Sequence, residues 1–380
     1  MERFWLTNAR IYQRGSWIEG GVLVEDGVIA SVQPGRTSAP ADVDLGGAYL
    51  VPGFLDLHTH GAAGFDVNAS SASELLEIGR FFAAHGVTGW NASILTDTQE
   101  QTLWCLMQAR QAAAQSGGAK LLGVHLEGPF LAAEYKGAMP EALLRCGDAS
   151  LFRTYQQTAG GLISYMTVSP EVPGVLDLIR ELGGLTPIAL GHSGADYDQT
   201  MSCIRAGAKA ATHTCNAMRL LHQHQPAILG AVLESDVYCE MICDGRHLHP
   251  GTVRLLIKCK GLDRVIAVTD SIQAAGLPDG NYRLGVNDVV VCDGDAKLAT
   301  TGVRAGSTLT MDQALRNLIA FTGLPLERVL PVLTENPARL MGWQDRKGTI
   351  EPGKDADLTV LDSNLQVAAT YVGGQCVYHN

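Results

Sequence analysis

The amino-acid sequence predicts an α/β fold: a (β/α)₈ barrel of the TIM type with a small β-sandwich domain formed by both termini. Two observations predict it. Eight short apolar runs alternate with helix-like stretches through the middle of the chain, and the two ends share a different, glycine-rich β pattern. Strands that alternate with helices form parallel sheets, and eight such units can close into a barrel. An open doubly wound sheet is the alternative architecture.

The eight predicted barrel strands are short apolar segments bounded by turn-forming residues, as expected for buried strands. They cover residues 49–57, 87–95, 121–126, 162–168, 187–190, 209–213, 239–243 and 264–269. The helices between them have recognisable ends. The segment SASELLEIGRFFAAHG begins with a Ser-x-x-Glu capping signal and ends at Gly86. We therefore expect residues 51–345 to form the barrel domain.

Both termini consist of short β-type runs broken by turn residues. The run WIEGGVLVEDGVIASVQPG contains the pair Asp26-Gly27, which is a strong hairpin signal. The last thirty residues have the same character. We expect residues 1–50 and 346–380 to meet in the small β-sandwich domain.

The composition restricts the possible partners. Hydrophobic residues make up 46% of the 380 residues and charged residues 18%, which is typical of a globular protein. The net charge of −11 argues against nucleic acid or an anionic membrane as a partner. There is no apolar run of membrane-spanning length and no signal-peptide pattern. Nine cysteines without a CxxC pair indicate reduced thiols, so we expect a cytoplasmic protein.

Several predicted strands end in a histidine or a carboxylate. In a parallel barrel, catalytic groups project from these strand ends. Taken one at a time, the residues have ordinary explanations, such as a core histidine or a turn aspartate. Together they favour a metal centre, since imidazole and carboxylate ligands without thiolate suit Zn²⁺, with Fe²⁺ or Mn²⁺ as alternatives. The candidate ligands are His58, His60, Glu127, His192, His213 and Asp270.

Neighbouring residues suggest the chemistry at such a centre. His58 and His60 share one face of a strand, and a bridging Glu127 would allow one or two ions. Asp270, in VTDS, can take a proton from an attacking water and deliver it to a leaving amine. In CDGRHLHP, His247 or His249 can polarise a carbonyl or hold a hydroxyl, although a solvated loop explains His249 equally well.

Nine segments between residues 50 and 362 carry a resemblance to a known family. Together they resemble the amidohydrolase superfamily, and within it the N-acetylglucosamine-6-phosphate deacetylases and their N-acetylgalactosamine-6-phosphate relatives. The combination of HLEGP, GHS, THxxNAM and DGxH is specific to this group. The segments are PGFLDLHTHG, HLEGPF, GHSGAD, THTCNAM, ICDGRHLHP, VTDSIQAAGLPDGNY, AGSTLTMDQALRN, ENPAR and GTIEPGKDADLTVLD.

The resemblance implies an enzyme that hydrolyses the acetamide of an N-acetylated amino sugar, chiefly N-acetylglucosamine 6-phosphate. Acetate and the amino sugar phosphate would be the products. Glu127, His192 and His213 would hold the main metal ion, and the retained histidine pair would allow a second ion. Asp270 would be the general acid and base, and His247 would polarise the acetamide carbonyl.

The resemblance also implies how the sugar is held. Asn216 and Ala217 would contact the sugar phosphate, in a homodimer whose neighbouring subunit reaches into the site. Two positions depart from the family pattern. His224 replaces an arginine that grips the 6-phosphate, although histidine is mostly neutral at pH 7. Met139, in KGAMP, replaces a histidine that touches the sugar.

Cationic residues in this chain can compensate for these losses. Arg246 and Arg304 stand where the family usually has apolar residues, although each can also be a surface cation. We expect the chain to keep the deacetylase reaction. Its substrate can differ from that of the family, and the alternatives are the galacto epimer, an unphosphorylated sugar or another anionic N-acyl compound. The remaining alternatives are a different amidohydrolase reaction and a non-catalytic sugar-binding protein on the same scaffold.

Overall fold

The computed structural model describes residues 3–35 and 43–380. Within these ranges the strands, in chain order, are β1 (Arg3–Gln13), β2 (Ser16–Glu25), β3 (Val28–Pro34), β4 (Val43–Asp44), β5 (Tyr49–Pro52), β6 (Phe54–Thr59), β7 (Gly61–Ala62), β8 (Phe65–Asp66), β9 (Val87–Leu95), β10 (Lys120–Glu127), β11 (Ile163–Val168), β12 (Ile188–Leu190), β13 (Ala210–Ala211), β14 (Tyr238–Met241), β15 (Val265–Ala267), β16 (Gly280–Leu284), β17 (Asn287–Cys292), β18 (Asp295–Leu298), β19 (Leu358–Leu361), β20 (Val367–Val372) and β21 (Gln375–His379).

Helices follow most of the central strands, with short 3₁₀ turns at 133–135, 141–143 and 262–264. The α-helices are α1 (Ala72–Ala84), α2 (Gln99–Ala113), α3 (Ala149–Thr158), α4 (Val175–Leu182), α5 (Tyr197–Ala206), α6 (Ala227–Glu234), α7 (Pro250–Lys260), α8 (Met311–Thr322), α9 (Leu326–Leu333) and α10 (Glu335–Leu340). Helix α1 begins with the predicted capping box between Ser71 and Glu74.

The centre of the molecule is a barrel of eight parallel strands, β6 and β9–β15, in which chain neighbours pair with each other. The barrel closes between its first and last strands. The His60 N–H donates to the Ser271 carbonyl at 2.7 Å, and the Asp270 N–H donates to the His58 carbonyl at 2.8 Å. The predicted (β/α)₈ barrel is therefore confirmed, and the open doubly wound alternative is excluded.

Both termini contribute to a second, eight-stranded sheet in the order β21-β20-β19-β5-β1-β2-β3, with β4 paired to β1. Its strands bury a separate apolar core that includes Leu6, Val22 and Leu358. The Asp26-Gly27 hairpin is present between β2 and β3, with φ angles of 50° and 80° that suit a type I′ turn. The division of the chain near residues 50 and 346 into domains stays a prediction.

The strand predicted at residues 49–57 was wrong in its boundaries. Residues 49–57 form two strands, because the chain leaves the terminal sheet at Pro52 and enters the barrel at Phe54. Gly53 lies at this crossing, where a Cβ atom would overlap the side chain of Thr88. Proline cannot donate to a continuing strand ladder, which favours a break at this point.

The antiparallel sheet β16–β18 was not predicted. It lies between the last barrel strand and α8, and it forms part of the wall of the cavity described below. No helix in residues 3–35 or 43–380 combines the length and apolarity that crossing a membrane requires.

Candidate functional site

A cavity of about 590 Å³ opens at the carboxyl ends of the barrel strands. Its deep end contains or adjoins His58, His60, Glu127, His192, His213 and Asp270, which we call the ligand cluster. Its outer wall includes Lys136, Met139, Lys297 and Arg304, which we call the rim. The structure thus brings together cluster residues that are up to 212 positions apart, as His58 and Asp270 are, because the ends of parallel strands meet at one face of the barrel.

The first half of the ligand cluster is formed by Glu127, His192 and His213. Glu127 ends β10, and its Oε1 lies 3.0 Å from His192 Nε2 and 3.2 Å from His213 Nε2. The two Nε2 atoms lie 3.0 Å apart. Two donors bound tetrahedrally to zinc at the usual length of about 2.0–2.1 Å would lie roughly 3.3 Å apart, so this spacing fits one shared ion.

The second half is formed by His58 and His60 together with Glu127 and Asp270. The two imidazole Nε2 atoms lie 3.2 Å apart. His60 Nε2 is also 3.2 Å from Glu127 Oε2 and 3.2 Å from Asp270 Oδ1. Glu127 Oε2 faces His60, whereas its Oε1 faces His192 and His213 and lies 3.5 Å from His58 Nε2, so the two halves share this carboxylate.

The hydrogen-bond partners of the imidazole rings fit a metal centre. Nδ1 of His60 faces the Ser93 carbonyl at 3.1 Å, and Nδ1 of His192 faces the Tyr135 carbonyl at 2.8 Å. Because a carbonyl oxygen only accepts, Nδ1 carries the hydrogen and Nε2 of the neutral ring has a free lone pair. These lone pairs converge on one another and on Glu127, which is the arrangement that a cation stabilises.

The pKa values of the cluster histidines also indicate a site for a cation. Burial lowers the pKa of His60, but hydrogen bonds to Asp270 and Glu127 raise it to about 10. The pKa of His213 rises to about 9 in the same manner, with Glu127 as the main opposing influence to burial. In the absence of a cation these carboxylates would hold protons on the rings, so the cluster is built to attract positive charge.

Unusual backbone geometry accompanies the cluster. His192, His213 and Asp270 have φ angles of 49°, 26° and 49°, a region that non-glycine residues rarely adopt. Such conformations cost about 1–3 kcal/mol each and concentrate at functional sites. Beside Asp270, Gly306 allows a close approach, because a Cβ there would lie 2.9 Å from the Asp270 carbonyl.

His247 lies on the cavity wall and is oriented by Asp244. The His247 Nδ1 atom donates to Asp244 Oδ2 at 2.7 Å, and the His247 N–H donates to the other carboxylate oxygen at 2.8 Å. Burial raises the pKa of Asp244, but the hydrogen bond from His247 holds it below its usual value. With Nδ1 occupied, Nε2 is the nitrogen that remains available to a ligand.

Other predicted substrate residues also line this cavity. Asn216 and Ala217 do so, and the Asn216 side chain donates to the His213 carbonyl at 3.1 Å. Met139 is buried and packs in an apolar cluster with Leu95. Arg304 reaches the rim, where its guanidinium makes two hydrogen bonds of 2.8 and 3.1 Å to Asp295.

Three predicted substrate residues lie outside this cavity. The His249 side chain is exposed and accepts a hydrogen bond from the Gly251 N–H at the start of α7, as an N-cap does. Arg246 is exposed and donates to the Asp293 carbonyl. His224 lies in an exposed loop and lines a different depression beside Arg219. Within this chain, none of the three is placed to touch a ligand in the cavity.

Sequence reasoning missed several residues of the site. Asp244 and Glu240 contact the Nδ1 atoms of His247 and His58, and Lys136 and Lys297 add positive charge to the rim. Glu240 gave one detectable signal, since a carboxylate inside the apolar run VYCEMIC is costly to bury without a partner. Lys297 gave none, because it belongs to the unpredicted sheet.

Comparison with known proteins places this geometry in a family. The amidohydrolase family model matches residues 49–377. The chain is 36% identical to the N-acetylglucosamine-6-phosphate deacetylase of Bacillus subtilis, over 94% of this chain and 93% of that protein. It is 33% identical to an N-acetylgalactosamine-6-phosphate deacetylase of Escherichia coli O157:H7, over 96% and 97% of the two chains.

A solved structure is similar over the whole chain. It is the D267A mutant of the N-acetyl-D-glucosamine-6-phosphate deacetylase of Mycobacterium smegmatis, in complex with N-acetyl-D-glucosamine-6-phosphate. The TM-score is 0.93 at 34% identity, with 99% of this chain and 100% of that chain covered. The predicted resemblance is therefore confirmed.

Proposed function

This chain belongs to the amidohydrolase family, and from that premise we propose that it is a deacetylase acting on N-acetylhexosamine 6-phosphates, chiefly N-acetylglucosamine 6-phosphate. Family membership implies a divalent metal cofactor, for which the ligand cluster offers His and Glu donors. The observation that supports the proposal most is that His247 lines the same cavity as the ligand cluster, to which Asp270 belongs.

The residues of the cavity support a hydrolytic mechanism. When bound, a divalent ion makes water nucleophilic near neutral pH and polarises a carbonyl oxygen. Asp270 takes the proton of the attacking water and returns it to the departing amine nitrogen. His247, held by Asp244, presents Nε2 to the acetamide oxygen. Hydrolysis releases acetate and the free amino sugar phosphate, so the atoms of one water molecule are divided between the two products.

We further propose that the ion is Zn²⁺, with Fe²⁺ or Mn²⁺ as alternatives, and that two ions are held. The donor set contains imidazole and carboxylate without thiolate, which suits these borderline ions. The donors form two groups, His58–His60–Glu127 and Glu127–His192–His213. In each group three candidate ligand atoms lie close together, and Glu127 belongs to both. Metal analysis of the purified protein tests identity and number.

The choice of sugar rests on the relatives. The gluco-type deacetylases and a galacto-type deacetylase are about equally similar to this chain. Replacement of the family histidine by Met139 removes a polar contact from the cavity wall, whereas Lys136, Lys297 and Arg304 provide positive charge for an anionic substituent. We therefore propose that the 6-phosphate is required. We propose the gluco epimer as the preferred one because gluco-type deacetylases predominate among the similar relatives.

A panel of four substrates tests this proposal: N-acetylglucosamine, N-acetylgalactosamine and their 6-phosphates. Acetate release is measured with metal-loaded enzyme. We expect the highest kcat/KM for N-acetylglucosamine 6-phosphate. Equal turnover of the unphosphorylated sugar would contradict the phosphate requirement. Sugar binding without acetate release from any of the four would favour the non-catalytic alternative.

We also propose a homodimer. Leu220 and Leu221 are 73% and 51% exposed in the loop that contains His224, and such a surface is costly to leave in water. In a dimer this loop would be the segment that carries His224 toward the neighbouring cavity. Molar mass from light scattering tests this, and a monomer at micromolar concentration would contradict it. Location in the cytoplasm stays a prediction.

A further inference from the structure

Glu240 is a fully buried carboxylate in the middle of barrel strand β14, directly behind the ligand cluster. Its Oε2 lies 3.1 Å from Nδ1 of His58 and accepts a hydrogen bond of 3.0 Å from the backbone N–H of His213. Glu240 does not line the cavity, and both contacts use atoms other than the Nε2 atoms that converge in the cluster. Glu240 is therefore neither a ligand nor a surface residue, and its burial requires a physical reason.

The contact with His58 determines which nitrogen of that ring faces the cavity. A carboxylate accepts hydrogen bonds, so Nδ1 of His58 carries the hydrogen and Nε2 has the free lone pair. That Nε2 atom lies 3.2 Å from His60 Nε2 and 3.5 Å from Glu127 Oε1. Carboxylates placed behind metal-binding histidines fix the ring orientation and make the ring a stronger donor.

The contact with His213 links Glu240 to the other half of the cluster. His213 has the strained φ of 26°, and the hydrogen bond from its N–H to Glu240 helps to hold that conformation. One carboxylate oxygen thus contacts a side chain from the His58–His60–Glu127 group and the backbone of the Glu127–His192–His213 group. Glu240 contacts a side chain only in the His58–His60–Glu127 group.

The electric charge of Glu240 needs compensation. Its Oε1 has no hydrogen-bond partner among the residues that the structure describes, and a buried carboxylate is costly without a nearby positive charge. Glu127 and Asp270 are two further buried carboxylates at this end of the barrel. A divalent ion beside His58 would place positive charge next to the ring that Glu240 contacts.

We propose that Glu240 is a positioning residue that prepares His58 as a ligand for a second borderline divalent ion, held by the His58–His60–Glu127 group, and so makes the centre binuclear. This inference rests on the proposed metal-dependent function. It concerns metal binding alone, however, and it can be tested without any sugar substrate.

The test is a Co²⁺ titration of the metal-free full-length protein, followed by d–d absorption, with bound metal measured after gel filtration. For the unaltered protein we expect two equivalents. Glu240→Gln keeps an oxygen acceptor but removes the charge. We expect it to leave the first equivalent unchanged and to weaken the second by about 10–100-fold. Glu240→Leu removes the acceptor as well and should lose the second equivalent entirely.

Cys239→Ala is the matched control. Cys239 is fully buried next to Glu240 on the same strand, and successive side chains of a strand point to opposite faces. This variant alters a buried side chain beside Glu240 and keeps the carboxylate, so both equivalents should persist. Circular dichroism checks folding, and Glu240→Gln carries the test if Glu240→Leu does not fold.

Three outcomes would overturn the inference. They are a single equivalent in the unaltered protein, two unchanged equivalents in Glu240→Gln, and loss of the second equivalent in Cys239→Ala as well. Failure of the deacetylase proposal would appear separately, as absence of acetate release from a protein that still binds two ions.

Discussion

The ligand cluster and the rim occupy the same cavity but are built in opposite ways. The side chains of the cluster are at most 9% exposed, and backbone carbonyls or buried carboxylates hold several of its rings from behind. At the rim, Lys297 and Arg304 are 46% and 40% exposed and both pair with Asp295. The Arg304 guanidinium is the main cause that lowers the pKa of Asp295 to about 2.

This contrast has an energetic consequence. Buried charges cannot exchange their partners for water, so removing one leaves the others uncompensated. Exposed ion pairs are screened, and each contributes little. The cluster should therefore tolerate almost no substitution, whereas the rim can change and alter substrate preference without loss of the chemistry. Substitutions made from the deep end of the cavity outward test this difference.

The largest effect is expected for His192→Asn, or equally for removal of metal by a chelator. Both take away the cation that polarises the carbonyl, which is worth several kcal/mol, so turnover should fall by about 10³-fold or more. Acetate release and metal content measure this effect. The exposed His379 provides the control, and His379→Asn should change neither quantity. Full activity after exhaustive chelation would contradict the role of the cluster.

Asp270→Asn is expected to reduce kcat by about 10²–10⁴-fold, because the amide cannot accept the proton of the attacking water. Unlike His192→Asn, it should retain the ion held by Glu127, His192 and His213. Metal analysis alongside kcat separates the two variants. The same substitution at exposed Asp293 should have no effect. If Asp270→Asn stays active, the assignment of Asp270 as general acid and base is wrong.

Asp244→Asn should have an intermediate effect of about 10–100-fold in kcat/KM, since the charged hydrogen bond to His247 Nδ1 is worth roughly 1.5–3 kcal/mol. Metal content should stay as in the unaltered protein. The measurement is kcat/KM for the phosphorylated sugar. A decrease that equals the effect of Asp270→Asn would mean that Asp244 belongs functionally to the cluster rather than to its surroundings.

Arg304→Met should have the smallest effect. We expect KM for the phosphorylated sugar to rise by less than about fivefold, with kcat unchanged, because the guanidinium is exposed and already paired with Asp295. Arg246→Met makes the same change in charge outside the cavity and should leave KM unaltered. A decrease in kcat larger than that of Asp244→Asn would remove the distinction between the rim and the cluster.

Much of the site could be predicted from the sequence. The residues of the cluster end short apolar runs, and the closing of such strands into a barrel brings their ends to one face whatever the loop lengths are. Asp270 likewise ends such a run. His247 follows a strand in CDGRHLHP, where the residues alone did not separate it from His249 and the family resemblance did. The boundary at Gly53 was not found, since Tyr49–Pro52 and Phe54–Thr59 are both apolar and differ only in the sheet that they join.

The sequence by itself determined the barrel, the terminal sheet and the identity of the cluster, because periodicity and strand-end position are local properties of the chain. Only the tertiary structure decided which oxygen of Glu127 faces which histidine and that Glu240 stands behind His58. It also separated Arg304, on the cavity wall, from Arg246 and His249 outside it. These are distances between residues remote in sequence, and they depend on how strands and loops pack together.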